Sequence, residues 1–487
     1  MPPLPSRFLR LALAGVAALA AAALALAARA APSGDARPLP PEIATALAHA
    51  RVPRDAVALL VQPLDGGPPR LAHREGAAMN PASVMKLVTT LAALDQLGPA
   101  YTWKTRFYAD GPVADGVLDG NLYIEGGGDP KLVLERVDAA FRALQAAGVR
   151  QVRGDMVLDG SVFEAPARDP AAFDNEPLRP YNVAPDGLLV NFKALILRFA
   201  PQDDGTALVH AEPPLAGVTV PAQVALARGP ACGDWRGALQ ADFSDPNAVR
   251  LAGRYPAACG EREWAVAYVE PASYAQRALL ALFRAAGGEL DGAARAGRRP
   301  AGARLLLEAP SLPLAEVIAD VNKRSNNVMA QQLVLTLAAR RALPGRMEEG
   351  RAALAAWWRR FVGAATPAPV LDNGAGLSRD ERISAGALGR LLLLASHHAQ
   401  AEVYRQSLSL AGIDGTTERM RERGLAQVVG NAWLKTGTLR DVAAVAGYVR
   451  GQSGQQYAVV GLVNHPQASA ARPALDALLE WTANDLH

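Results

Sequence analysis

"NPASVMKLVTTLAAL", Asn80 to Leu94, is the stretch on which the reading of this chain turns. It opens as a helix should. Asn80 is a favoured N-cap, and Pro81 suits the first helical position, where its missing N–H costs nothing. Ser83 is then expected as the third helical residue. Its backbone N–H would be one of the four donors without an intrahelical partner. It would be free to point at a developing oxyanion, helped by the positive end of the helix. Lys86, at i+3, would share its face, with Cβ atoms about 5–6 Å apart. A neutral lysine there could take the serine's proton and make the hydroxyl a nucleophile.

That role asks the lysine to lose a proton it ordinarily holds to about pH 10.4. Burial and a second nearby cation would lower its pKa, whereas an arginine would stay protonated. The chain has six lysines, at 86, 104, 131, 193, 323 and 435, and arginine supplies the other 44 of its 50 basic residues. Where lysine is this scarce, one can be held at a position for its chemistry. Ser-x-x-Lys alone remains a weak signal, because a surface serine and lysine on one helix face are common.

Two later stretches strengthen it. "KRSNNVMAQQ" sets Ser325-Asn326-Asn327 in a polar break between two helical patterns. Ser and Asn are also what a plain helix N-cap uses, but capping does not exclude function. Ser325 could relay a proton to a leaving group, and Asn327 could hold a peptide carbonyl or the lysine. "WLKTGTLRD" puts Lys435-Thr436-Gly437-Thr438 at the end of an expected strand. By itself this is an ordinary strand end and turn. Read functionally, it is an edge strand beside a cleft, where Gly437 lets a substrate backbone come close and pair. Lys435 could attract a substrate carboxylate and depress the pKa of Lys86. The hydroxyls of Thr436 and Thr438 could bind that carboxylate, and the Thr438 N–H could be the second oxyanion donor.

The 487 residues call for more than one domain, and a hydrophobic half is ample for large cores. A formal net charge of +3 and the lack of any long single-sign run give no reason to expect a nucleic-acid partner. Residues 1–30 read as a secretory signal. Arg7 and Arg10 precede an apolar run, and Ala28-Arg29-Ala30 fits cleavage after Ala30. The rival is an uncleaved anchor, since the run is nearly long enough to span a bilayer; no stable transmembrane anchor is expected. Cys232 and Cys259 are compatible with a disulfide in an oxidising compartment and equally with two free thiols. Histidines are few and scattered, so no metal site or cofactor is expected.

Along the chain, residues 31–105 and 300–487 carry helical patterns and closely spaced strands, ending in three strands and a helix. Three strands in succession imply an antiparallel sheet with helices packed on it. Residues 106–299 are punctuated by Gly and Pro and hold short strand-like runs. The simplest assembly is a helix-and-sheet body split by a β-rich insertion.

A helix-start Ser-x-x-Lys, an interhelical Ser-x-Asn and a strand-borne Lys-Thr-Gly, in that order, form the set used by serine β-lactamases and penicillin-binding proteins. With Ser325 placed 242 positions after Ser83, the chain resembles the low-molecular-mass class C penicillin-binding proteins. These are D-alanyl-D-alanine carboxypeptidases/endopeptidases of peptidase family S13. "GGGDPKL", "LDNGAGLSRDERIS" and "AGIDGTTERM" are further family-like stretches, although Ala375 stands where many relatives have a serine. The resemblance implies an α+β penicilloyl-serine-transferase fold with a β-rich insertion. It implies Ser83 as nucleophile, Lys86 as base, Ser325 and Asn327 as relay and holder, and Lys435-Thr436-Gly437 as the carboxylate-binding strand. It further implies a periplasmic serine DD-peptidase acting on peptidoglycan stem peptides, with β-lactams as covalent inhibitors. The rivals are a serine β-lactamase and a non-catalytic peptidoglycan binder.

Overall fold

A computed structural model describes residues 38–164 and 169–486. The signal segment expected over residues 1–30 lies outside them. The principal helices of the body are α1 (Pro41–His49), α2 (Lys86–Leu97), α3 (Leu314–Lys323), α4 (Asn327–Ala339), α5 (Met347–Phe361), α6 (Ala385–Ser396) and α7 (Arg472–Ala483). Six strands form the sheet they cover: β1 (Val57–Pro63), β2 (Leu71–His73), β3 (Ser409–Leu410), β4 (Ala432–Leu439), β5 (Val442–Arg450) and β6 (Gln456–Asn464). Their order is β2-β1-β6-β5-β4-β3, and every neighbouring pair is antiparallel.

β5 and β6, "VAAVAGYVR" and "QYAVVGLVN", are apolar at nearly every position instead of alternating. Such runs need cover on both faces of the sheet. Leu60 of β1 meets α6, where a Cβ at Gly389 would touch its Cδ2. Leu59 beside it points to the other face. There Gly461 of β6 lies against Leu475 and Leu478 of α7, and α1 packs on α7. On the first face α2 runs through the centre of a helical layer with α3, α4 and α5 against it. Every residue of α2 from Lys86 to Leu94 is buried. Leu91, Ile318, Leu333, Trp357 and Leu388 belong to that common core, each large aliphatic side chain contributing about 1.5–3 kcal/mol by burial. Lys86 therefore opens a helix whose first nine residues are all buried.

The chain leaves this body on strand Lys104–Ala109 and returns on strand Arg304–Pro310. The two pair antiparallel, with Lys104 opposite Pro310. The segment between them builds a separate core. It holds helices Leu134–Ala146 and Tyr274–Ala285 as well as strands, joined by a Phe141–Phe283 ring contact at 5.2 Å. Strand Leu122–Glu125 pairs in parallel with Met156–Asp159 across the first of these helices, a βαβ unit. A second five-stranded sheet contains Ala194–Pro201, Thr206–Glu212 and Arg262–Ala267. Cys232 and Cys259 are joined in a disulfide, which answers the question the sequence leaves open. No helix among the described residues is long and apolar enough to cross a membrane.

Candidate active site

The helix expected from Pro81 starts later than the sequence suggests. Ala82–Met85 is a 3-10 turn, and α2 begins at Lys86, so Ser83 lies in the turn and is not the third residue of an α-helix. Asn80 bends the chain here instead of capping a regular helix. Its Oδ1 accepts the Ala82 N–H at 2.8 Å, and its Nδ2 donates to Ser378 O at 2.9 Å. Asn464, at the end of β6, clasps the Asn80 backbone from both sides, at 2.7 and 2.9 Å. Ala82 is held at φ +47°, a left-handed conformation that costs a Cβ-bearing residue about 1–2 kcal/mol. Two glycines make it tenable. A Cβ at Gly376 would lie 1.9 Å from Ala82 O, and one at Gly437 would lie 2.6 Å from Pro81 O and 3.1 Å from Ser83 N. The missing Cβ of Gly437 thus makes room for the serine's own turn.

Lys86 is fully buried and aims Nζ at three oxygens: Ser83 Oγ at 3.0 Å, Asn327 Oδ1 at 2.7 Å and Ala375 O at 2.5 Å. The last two can only accept. In a neutral amine they would take both N–H bonds, leaving the lone pair to the serine hydroxyl. Asn327 is oriented by its other end, since its Nδ2 donates to Tyr181 O at 3.2 Å. Burial drives the Lys86 pKa well below its ordinary value, the ammonium of Lys435 pushes the same way, and Glu381 opposes them.

Ser325 and Asn327 divide their duties differently from a simple cap. Asn326 caps α4, its Oδ1 accepting the Met329 N–H at 3.1 Å. Ser325 turns at φ +56° and accepts from Lys435 Nζ at 2.9 Å. Lys435, also fully buried, donates as well to Thr436 O at 2.7 Å, and burial pushes its pKa down to about 7. The edge-strand expectation holds for the end of β4. β3 pairs only with Trp433 and Leu434, and no strand among the described residues pairs with the edge from Lys435 to Leu439. Thr436 Oγ1 donates to Thr416 Oγ1 at 2.8 Å, and Arg472 donates to Thr438 Oγ1 at 3.2 Å.

Ser83, Ser325, Asn327 and Thr438 line one cleft of about 620 Å³. Its far wall is Phe173, Asp174 and Tyr181 from the inserted segment, facing Leu377, Arg379 and Arg440. The Arg379 guanidinium lies over the Phe173 ring, 5.1 Å from its centroid. Asp174 accepts from the Tyr181 hydroxyl at 2.7 Å; burial and this carboxylate push the phenol up to about 12. Sequence reasoning missed this wall, the Ala375 carbonyl, Glu381, Thr416 and Arg472. "LDNGAGLSRDERIS" and "AGIDGTTERM" contain three of these, Ala375, Glu381 and Thr416, without saying what they do.

A helical layer and a six-stranded antiparallel sheet, meeting at a cleft with a serine at one helix start and a free strand edge opposite, define the α+β penicilloyl-serine-transferase class of serine DD-peptidases. The comparisons narrow this. The model of the D-Ala-D-Ala carboxypeptidase 3 (S13) family matches residues 39–485, and the chain belongs to that family. It is 30% identical over 398 residues to a D-alanyl-D-alanine carboxypeptidase of Actinomadura sp. (strain R39), covering 78% of this chain and 72% of the relative. Its fold matches the crystal structure of penicillin binding protein 4 (dacB) from Haemophilus influenzae with a TM-score of 0.72 at 21% identity, over 90% of this chain and 99% of the other. A structure of the same protein complexed with a novel β-lactam matches with a TM-score of 0.68, also at 21% identity and with the same coverage.

Proposed function

We propose that Ser83 attacks the carbonyl of the penultimate D-alanine of peptidoglycan stem peptides in the periplasm, with Lys86 as its base. The Oγ–C bond forms as Lys86 takes the hydroxyl proton. The oxyanion is received by the N–H groups of Ser83 and Thr438. The C–N bond then breaks. The amine of D-alanine, or of a cross-linked neighbouring peptide, leaves with a proton passed from Lys86 through Ser325. Asn327 keeps Lys86 aimed and offers its amide to the substrate backbone. The substrate carboxylate sits against Lys435, Thr436 and Thr438, and Gly437 keeps that strand close to the serine. Water, deprotonated by Lys86, resolves the ester and frees Ser83.

One observation carries this reading. Lys86 Nζ is 3.0 Å from Ser83 Oγ, and its two remaining contacts are acceptors, so an uncharged amine has its lone pair left for the hydroxyl. Family membership and the leader-like N-terminus support the cell-wall setting. β-Lactams should acylate the same serine and leave it slowly. The test is labelling by a fluorescent penicillin together with D-alanine release from a pentapeptide. Both should vanish in Ser83→Ala while thermal unfolding is retained; a variant that still labels removes Ser83 as nucleophile. Rapid penicillin turnover would move the assignment to a β-lactamase.

A further inference from the structure

We infer that Glu381 is a positioning residue for this reaction: it gathers the 372–376 loop around its buried, charged carboxylate so that the Ala375 carbonyl faces Lys86. The inference rests on the reading of Ser83 and Lys86 as nucleophile and base.

The geometry is that of an anion in a backbone nest. Glu381 Oε1 accepts the N–H groups of Asp372, Asn373 and Gly374 at 3.1, 3.1 and 2.7 Å. With three successive N–H groups turned inward, the carbonyls after them are turned outward. Gly374 O accepts from Thr89 Oγ1 at 2.6 Å, and Ala375 O accepts from Lys86 Nζ at 2.5 Å. Asn373 locks the loop from within, its Oδ1 accepting the Ala375 N–H at 2.9 Å and its Nδ2 donating to Leu377 O at 2.8 Å. The same loop carries Gly376, whose backbone presses on Ala82 beside the serine. One carboxylate therefore holds a loop that touches both Lys86 and the turn bearing Ser83.

The second observation is the cost of placing it there. Glu381 is fully buried, and its Oε2 has no hydrogen-bond partner among the described residues. A buried carboxylate with one bare oxygen is expensive. A neutral side chain could fill the space more cheaply, unless the charge itself is used. The ionisable groups around the pocket are few. Lys86 comes from α2, Lys435 from β4 and Asp372 from the loop itself. Arg351 of α5 donates to the Asp372 carbonyl, and Arg382 donates to the carbonyls of Arg379 and Glu381 and not to the carboxylate. Burial raises the Glu381 pKa and the three N–H groups hold it down, while its charge raises that of Lys86.

Two variants separate position from charge. Glu381→Gln keeps an oxygen for the three N–H groups and removes the charge. Glu381→Ala removes both. The readout is the pH profile of acylation by a fluorescent penicillin, with the adduct mapped by peptide mass and folding followed by thermal unfolding. Without the carboxylate, the Lys86 ammonium loses support, so the amine becomes free at lower pH. In Glu381→Gln the plateau rate should stay within about threefold, and the acid limb should move acidward by about half a unit or more. In Glu381→Ala the plateau should fall at least about tenfold as the loop loses its aim. An acid limb unmoved in Glu381→Gln, or a plateau unchanged in Glu381→Ala, overturns the inference. If Glu381→Ala does not fold, the limb of Glu381→Gln decides alone. An adduct away from Ser83 overturns the underlying reading instead, whereas an adduct on Ser83 with an unmoved limb overturns only the role of Glu381.

Discussion

Gly437→Ala tests whether the substrate strand and the serine's turn are interlocked. The added Cβ would stand 2.6 Å from Pro81 O and 3.1 Å from both Ala82 Cβ and Ser83 N. None of these atoms belongs to a flexible side chain that could swing away. Real Cβ contacts stay beyond 3.0 Å, so strand and turn must part by at least 0.4 Å. Overpacking of this kind costs about 1–3 kcal/mol of stability. For a domain of this size that is a fall in Tm of roughly 2–8 °C. The rate cost is separate. The proposed oxyanion donors, the N–H groups of Ser83 and Thr438, stand on the two parts being pushed apart. If a misplacement of about 1 Å costs about 10²-fold, a shift of ~0.4 Å costs roughly six- to tenfold. The assay is the second-order rate constant of acylation by a fluorescent penicillin, alongside thermal unfolding. A variant with both the wild-type rate and the wild-type Tm would refute the interlock. A lower Tm with an unchanged rate would refute the placement of the oxyanion donors across it.

Two further outcomes concern groups away from the serine. Burial lowers the Lys435 pKa from 10.5 to about 7, so between those values the unfolded chain binds one more proton than the folded one. Stability should therefore rise with pH across that window and fall as pH drops towards 7. Lys435→Met should flatten the rise by close to one proton in a pH series of denaturant unfolding, and an unchanged slope would count against the lowered pKa of the buried lysine. In the inserted segment, Cys232 and Cys259 close a loop of sequence separation 27. Changing both to alanine should cost about 3–4 kcal/mol on the chain-entropy account and leave penicillin labelling in place. Labelling lost at unchanged stability would contradict the separation of the two cores.

How much of the site is legible in the sequence depends on where its atoms come from. Ser83 and Lys86 are neighbours because three residues bring them round one turn, and that spacing is local. The Lys-Thr-Gly strand is legible because its residue types are unusual together. The turn around Ser83 is not, because its shape is imposed by Asn464, Gly376 and Gly437, more than 290 residues further on. A favoured cap followed by proline promised an ordinary helix start, and tertiary contacts overrode that local preference. The Ala375 carbonyl could not have been singled out, since every residue carries one. Glu381 sat inside a family-like stretch, yet nothing in "RDERIS" tells a buried carboxylate from a solvated one. In the inserted segment, Gly and Pro punctuation drew attention to strands and masked the helix of the βαβ unit.

The six lysines make the site's electrostatic logic visible. Lys104, Lys131, Lys193 and Lys323 each pair with a carboxylate, of Glu308, Asp320, Asp186 and Asp414. Lys86 and Lys435 touch none. Their contacts are hydroxyl, amide and backbone oxygens, which satisfy an amine without demanding that it be an ammonium. The carboxylate that faces this pocket, that of Glu381, is spent on three backbone N–H groups behind the loop, so it reaches Lys86 through its field and through the carbonyl it positions. Two cations are thereby kept in one dry pocket with weakened hold on their protons. A lysine whose proton is so weakly held, beside a serine hydroxyl, is equipped for the work of a base.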